Sequence, residues 1–147
     1  MGWTGIMVPE SHGGLGLGLA EAADIVEEMG AQLFCGPYAL SAVLLAGLAP
    51  RFGAVGDALL RGMAEGSVRL ALATDEARPS QAGEHILPLV EHVAGASHIL
   101  RLDREEGGIS FVLYRTAGAT SRALQPMDPT TPIASVTLAP DAEMARR

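Results

Sequence analysis

A change of hydrophobic period near residue 66 divides this chain. Before it, apolar residues recur in steps of three and four. Leu19, Ala22, Ala23, Val26, Met29, Leu33 and Phe34 follow one side of a helix, with Glu21, Asp24, Glu27 and Glu28 mostly on the other. After it, Val68, Leu70, Leu72 and Thr74 alternate with Arg69, Ala71 and Ala73, the pattern of a half-buried strand. Helices first and strands second, without βα alternation, predict an α+β chain and argue against a Rossmann unit. The spacing predicts a partial helical domain over residues 1–66 and a small antiparallel β-domain over 67–147.

Within the first part, Gly36-Pro37 closes the first helix, and Pro37 is placed to start the next. From Tyr38 to Leu48 the chain is apolar nearly all round, with Ser41 as its one polar interior group. Such a helix belongs at the centre of a bundle or beneath a partner, so self-association or partner dependence is expected. Pro50 and Gly53 end it, and a third helix is predicted from about Val55 to Glu65, stopped by Gly66. In the second part, strands are predicted at Ile86 to Val90, His98 to Leu102, Ile109 to Tyr114 and Ile133 to Leu138. The stretch from Leu102 to Ile109 reads as a hairpin with a longer polar loop, and Pro126, Pro129 and Pro132 keep their segment out of a sheet interior.

Composition narrows the partners. The 147 residues carry 17 acidic against 10 basic side chains, a net charge of -7, which argues against nucleic acid or an anionic membrane surface. Only 4% of residues are aromatic, so small residues and leucine must do most of the packing. The N-terminus has no basic region before Pro9-Glu10, and the apolar run from Tyr38 to Ala49 is too short to span a bilayer. A cytoplasmic protein with no cleavable leader and no membrane span is therefore expected. The single Cys35 excludes an internal disulfide and reads as a small buried thiol. His12, His85, His92 and His98 form no metal-ligand spacing, so no metal site is predicted.

Chemistry-bearing motifs are scarce. Gly14-Leu15-Gly16-Leu17-Gly18 has GxGxG spacing where a dinucleotide loop needs GxGxxG, and no Walker lysine follows, so it reads as a structural turn. The carboxylate pairs Glu27-Glu28, Asp75-Glu76 and Glu105-Glu106 show no convergent geometry. Ser80, Ser97 and Ser121 lie in no nucleophile elbow.

One constellation is more specific. Gly2-Trp3-Thr4-Gly5 leading into Val8-Pro9-Glu10-Ser11-His12-Gly13-Gly14-Leu15-Gly16 resembles the N-terminal helical domain of acyl-CoA dehydrogenases. Glu27-Glu28-Met29-Gly30, Pro37-Tyr38 and Arg61-Gly62-Met63-Ala64-Glu65-Gly66 match later motifs of that domain in the right order. The resemblance implies a helical domain, a middle β-domain and a C-terminal helical domain. It also implies FAD and oxidation of acyl-CoA thioesters at the α–β carbons, with a glutamate base removing the α proton. It is strong over the first half and weak over the second. Leu72-Ala73-Thr74-Asp75 matches the family's L-T-E-P stretch beside the flavin, which makes Thr74, and through its backbone Ala73, the cofactor-binding candidates. The G-S-D turn that follows in the family is replaced by Glu76-Ala77-Arg78-Pro79-Ser80, and Asp128 resembles a later family aspartate. Aligned this way, the sequence lacks the domain that supplies the base, so no catalytic residue is expected. The resemblance thus implies an acyl-CoA dehydrogenase-like fragment or degenerate subunit, inactive alone. The alternative is an accessory structural subunit paired with a complete flavoprotein acyl-CoA dehydrogenase. Either a second copy or such a subunit is the expected partner, with acyl-CoA held only in a completed site.

Overall fold

The computed structural model describes residues 2–75, 77–80 and 83–147. Glu76, Gln81 and Ala82, which the readings of the Asp75-Glu76 pair and of the replaced G-S-D turn include, lie outside the described residues. The chain forms two compact units, Met1–Arg69 and Leu70–Arg147.

The first unit begins with 3-10 turns at Trp3–Gly5 and Glu10–His12, then the glycine-rich run, then helix α1, Leu19–Ala31. The glycines serve the fold. The backbone N–H groups of Leu15, Gly16 and Leu17 donate to the carbonyls of Gly5, Val8 and Ile6 at 3.0, 2.8 and 2.9 Å. A Cβ on Gly14 would come within 2.1 Å of the Val8 carbonyl oxygen, so only glycine permits this approach. The Gly18 N–H donates to the Glu21 carboxylate at 2.9 Å, satisfying one free donor at the start of α1.

Helix α1 departs from expectation in its burial. Of its apolar stripe only Ala22 is buried, while Leu19 is 62% exposed and Leu33, just past its end, 84%. Leu33 has a left-handed backbone (φ 54°), which turns the chain outward. Cys35 follows on that surface. The predicted buried thiol is exposed, its Sγ donating to the Leu33 carbonyl at 3.2 Å.

The next helix is not regular. It opens as a π-helical turn, Ala39–Leu44, continues as α2, Leu45–Leu48, and tightens to a 3-10 turn, Ala49–Phe52, at Pro50. One face, with Ala42, Leu45, Ala46 and Ala49, is buried, and Leu44 points outward. Helix α3, Ala54–Glu65, packs Leu59, Leu60 and Met63 inward and stops at Gly66, whose φ of 77° closes the last turn.

The second unit is a curled eight-stranded sheet: β1 (Leu70–Ala73), β2 (Arg78–Pro79), β3 (His85–Glu91), β4 (His98–Glu105), β5 (Gly108–Arg115), β6 (Thr120–Ala123), β7 (Ile133–Leu138) and β8 (Glu143–Arg146). The order is β6-β7-β3-β1-β4-β5-β8, with β2 pairing β3. Among the described residues every pairing is antiparallel except β1 with β4. That exception to the antiparallel expectation follows from the path. β3 returns beside β1, and the chain then crosses to the other side of β1 before running as β4. The strands β4 and β5 extend further than predicted and meet at a tight turn of Glu106 and Gly107, where Gly107 has a φ of 101°. The core face carries Ala71, Ala73, Val90, Ile99, Val112 and Tyr114.

His98 begins β4 half-buried, its Nδ1 2.9 Å from Ser97 Oγ. Burial, and then Arg115, hold its imidazole below the ordinary value of 6.5. The folded protein therefore favours neutral His98, whereas the unfolded chain takes up a proton as pH falls through about 6.5. The stabilising contribution is complete above that pH and is lost as pH drops towards the folded value. Urea unfolding between pH 7.5 and pH 5 should show this decline, and His98→Leu should make the slope shallower. An unchanged slope in the variant would assign the decline to other groups.

Candidate functional site

The ladder pairings of strand β1 with β3 and β4 end at Ala73. Ala73 is still in the ladder, in register with Val90 and Arg101, and its side chain is fully buried in the core. Thr74 is the first residue beyond the strand; its N–H donates to the Leu89 carbonyl at 3.3 Å and its side chain is exposed. The two cofactor candidates thus differ in access. Thr74 faces solvent, whereas Ala73 presents little beyond its backbone.

Beyond Thr74 lies an open recess of about 490 Å³, bounded by Thr74, Asp75, Ala77, Arg78, Leu102 and Arg104. A second recess of about 300 Å³ continues along Leu72, Ala73 and Thr74 to Leu102, Arg104 and Ile109. Period-2 alternation explains the grouping. Leu72 and Thr74 on one strand and Leu102 and Arg104 on another share the face opposite Ala73 and Arg101. Leu102 is 39% and Ile109 58% exposed, so the wall beside Thr74 is apolar and uncovered.

A third recess, of about 250 Å³, shares Ala77 and Arg104 with the first and is bordered by Arg101, Asp103 and Glu105. Arg101 is only 5% exposed. Its Nη2 donates to Asp103, and its guanidinium stands 5.4 Å from the centroid of the Tyr114 ring. Arg146 on β8 reaches the same Asp103 oxygen at 3.1 Å, Glu143 at 3.3 Å and Glu105 at 3.7 Å. Among the described residues, Arg101 Nε and the Tyr114 hydroxyl are buried without a hydrogen-bond partner. Burial pushes the Tyr114 phenol up, and the cationic Arg101 partly opposes that shift. No motif in the sequence singles out this group. The available signal is that Arg101 falls in phase with Ile99, at a position where the strand turns its side chains inward.

The other candidates lie apart. Asp128 accepts from the Thr130 N–H at 2.9 Å and hydroxyl at 2.6 Å, which holds its carboxyl below the usual range in an exposed turn. Glu27 and Glu28 are exposed on α1, and Glu105 accepts from the Ser110 hydroxyl at 2.7 Å. His12 meets Asp57 at 3.2 Å, and the His85 ring lies 5.5 Å from that of Tyr114. Among the described residues no three His, Cys, Asp or Glu side chains converge as a metal site would require. No helix among them is long and apolar enough to cross a membrane.

Comparison with known proteins bears on the whole chain. Residues 1–67 match the family description "Acyl-CoA dehydrogenase, N-terminal domain". No curated protein matches the sequence. Among solved structures, a variant of the Tcur3481-Tcur3483 steroid ACAD is similar at 26% identity and a TM-score of 0.63, over 97% of this chain and 43% of that one. The ChsE4-ChsE5 complex from Mycobacterium tuberculosis is similar at 23% identity and a TM-score of 0.72, again over 97% and 43%. A nitrososynthase from Micromonospora carbonacea var. africana is similar at 22% identity and a TM-score of 0.63, over 99% of this chain and 46% of that one. The chain therefore spans less than half the length of each of these structures. Because a nitrososynthase shares the fold, the fold alone does not fix a reaction.

Proposed function

From an acyl-CoA dehydrogenase N-terminal domain at residues 1–67, on a chain with the acyl-CoA dehydrogenase fold, we infer an accessory subunit that docks on a complete flavoprotein acyl-CoA dehydrogenase. The observation that carries this reading is the apolar surface along and beside α1. Trp3, Leu15, Leu17, Leu19, Leu33 and Phe34 are all 44% exposed or more. Uncovered apolar side chains in such number mark a surface that meets another protein. Two of the similar structures, the Tcur3481-Tcur3483 steroid ACAD and the ChsE4-ChsE5 complex, carry the names of two components, which agrees with pairing of unlike chains.

The residues beyond β1 fit one face of a flavin ring. Leu72, Leu102 and Ile109 offer an apolar wall, and Thr74 an exposed hydroxyl at its edge. The glycine-rich run contributes no phosphate cradle, because the amides of Leu15, Gly16 and Leu17 are bound to backbone carbonyls of their own unit. When bound, FAD supplies the hydride acceptor for α,β-dehydrogenation of an acyl-CoA. In that setting Thr74 orients the ring edge, and Leu102 and Ile109 exclude water from one side. No residue of this chain is assigned a catalytic role, and the cytoplasm is the proposed location.

The test combines the purified chain with a complete flavoprotein acyl-CoA dehydrogenase of the same genome. Light scattering should show a mixed assembly, and Thr74→Ala should lower flavin retention in that assembly several-fold. Tight stoichiometric FAD binding together with acyl-CoA-dependent dye reduction by the chain alone would overturn the accessory role. A stable dimer of this chain that refuses the flavoprotein would replace the partner with a second copy.

A further inference from the structure

We propose that α1 seats a basic amphipathic helix of the partner flavoprotein, packed along the uncovered seam of Leu19, Ala23, Val26 and Gly30, with its arginines or lysines opposite Glu27 and Asp24. This rests on the docking role and deepens it by naming what the partner brings. The spacing of the seam is the first observation. Positions 19, 23, 26 and 30 advance by four, three and four, the steps by which one helix packs along another at a shallow angle. A separate face of α1, with Ala22 buried and Ile25 and Met29 half-buried, already meets its own unit. The seam lies beside that face and is open: Leu19 is 62% and Val26 38% exposed, and Ala23 is exposed. A Cβ added to Gly30 would meet nothing within 4 Å, and the small Ala23 and Gly30 let a second backbone come close.

Charge selects the occupant. Glu27 borders the seam, and Asp24 lies one turn earlier on the same flank. Both are exposed, and neither has an ion-pair partner among the described residues. The other carboxylates of α1 are engaged, Glu21 with the Gly18 N–H at 2.9 Å and Glu28 with the Gln32 amide at 3.2 Å. A second copy laid on this seam would bring its own Glu27 and Asp24, and no arginine or lysine precedes Arg51 to answer them. Like charges brought together at an interface are costly, so the seam disfavours self-pairing. A partner helix with arginine or lysine beside its apolar face meets both demands, covering the seam and compensating the flank.

The test mixes the chain with the complete flavoprotein of the same genome at about 150 mM salt, where charges act over about 8 Å and near carboxylates separate from far ones. Interferometry reads the affinity. Glu27→Arg should weaken the mixed assembly about tenfold, and adding Asp24→Arg should weaken it further. Glu28→Arg, on the side of α1 away from the seam, makes the same charge change and should stay within about threefold. Gly30→Leu should weaken the assembly about tenfold by filling the seam, with a melting temperature no lower, since leucine is the better helix former. Hydrogen exchange should place the protected segment of the flavoprotein on a helix that carries arginine or lysine. Equal losses in Glu27→Arg and Glu28→Arg, or protection on a strand or an acidic segment, would overturn the basic helix and leave the docking role standing. A dimer of the chain alone that Gly30→Leu dissolves would overturn it in favour of a second copy. If no mixed assembly forms, the docking role fails and the seated helix with it.

Discussion

Gly56→Ala is expected to lower the melting temperature of the helical unit by on the order of 8 °C or more, although alanine is the better helix former. Intrinsic propensity favours alanine by about 1 kcal/mol inside a helix. The contact outweighs it. A Cβ at Gly56 would lie 1.8 Å from the Ala49 carbonyl oxygen and 2.7 Å from its carbon, and both atoms are backbone. Ala49, Phe52 and Gly56 are all buried, so the 3-10 turn cannot swing away without opening the packing under α3. Forced overpacking of this kind costs about 3 kcal/mol, at the upper end of its usual range. A unit of this size shifts by about 4–8 °C per kcal/mol. Gly47→Ala is the internal control. It sits in α2 with nothing within 4 Å of its added Cβ, so there the propensity term acts alone and should stabilise by about 0.5–1 kcal/mol. Thermal melts followed at 222 nm read both variants. A Gly56→Ala protein as stable as the parent would show that α3 does not cross the turn this closely.

Nothing in the residues flanking Gly56 and Gly47 tells the crowded glycine from the open one, because the difference lies in what crosses each. The order of helices then strands, by contrast, is legible in the sequence, because periodicity reports burial and burial is what each unit is built on. The strands β3, β4, β5 and β7 announce themselves through apolar residues that reach the core. The edge strands β6 and β8 do not, since Thr120–Ala123 is exposed throughout and Glu143–Arg146 ends in charge. Edge strands are held by backbone pairing, which leaves little trace in side-chain pattern. Helix α1 misleads in the opposite direction. Its stripe is correctly helical, but periodicity cannot say whether the surface that covers the stripe belongs to the same chain. At the candidate site, nothing intrinsic to Thr74 distinguishes it from other strand-end threonines, and it is the family resemblance that singles it out. Arg101 escapes a pattern reading because a charged residue in a strand reads as solvent-facing, and only its phase with Ile99 contradicts that.

Asp103→Ala is expected to cost the β unit on the order of 3 kcal/mol, the lower end of the range for breaking a buried ion pair from one side. Asp103 is 16% exposed at its side chain and answers two arginines, Arg101 at 6% and Arg146 at 44%. Those two partners lose unequally. Arg146 keeps Glu143 at 3.3 Å and Glu105 at 3.7 Å, and is half in water, so its loss is small. Arg101 retains the face of Tyr114 at 5.4 Å, and among the described residues no other carboxylate pairs with it. A desolvated cation cannot shed its charge as a lysine can, because the guanidinium stays protonated. The energy lost is therefore that of a stranded charge more than that of a missing bond. This makes a distinctive demand on the double variant. Arg101→Met with Asp103→Ala removes the stranded charge and puts an unbranched apolar chain in the same core position, so it should be more stable than Asp103→Ala alone. Urea unfolding of the parent, both single variants and the double measures the coupling directly. If the double variant is the least stable of the four, the Arg101–Asp103 pair acts through packing of its alkyl chains, and its charge carries no weight in the fold.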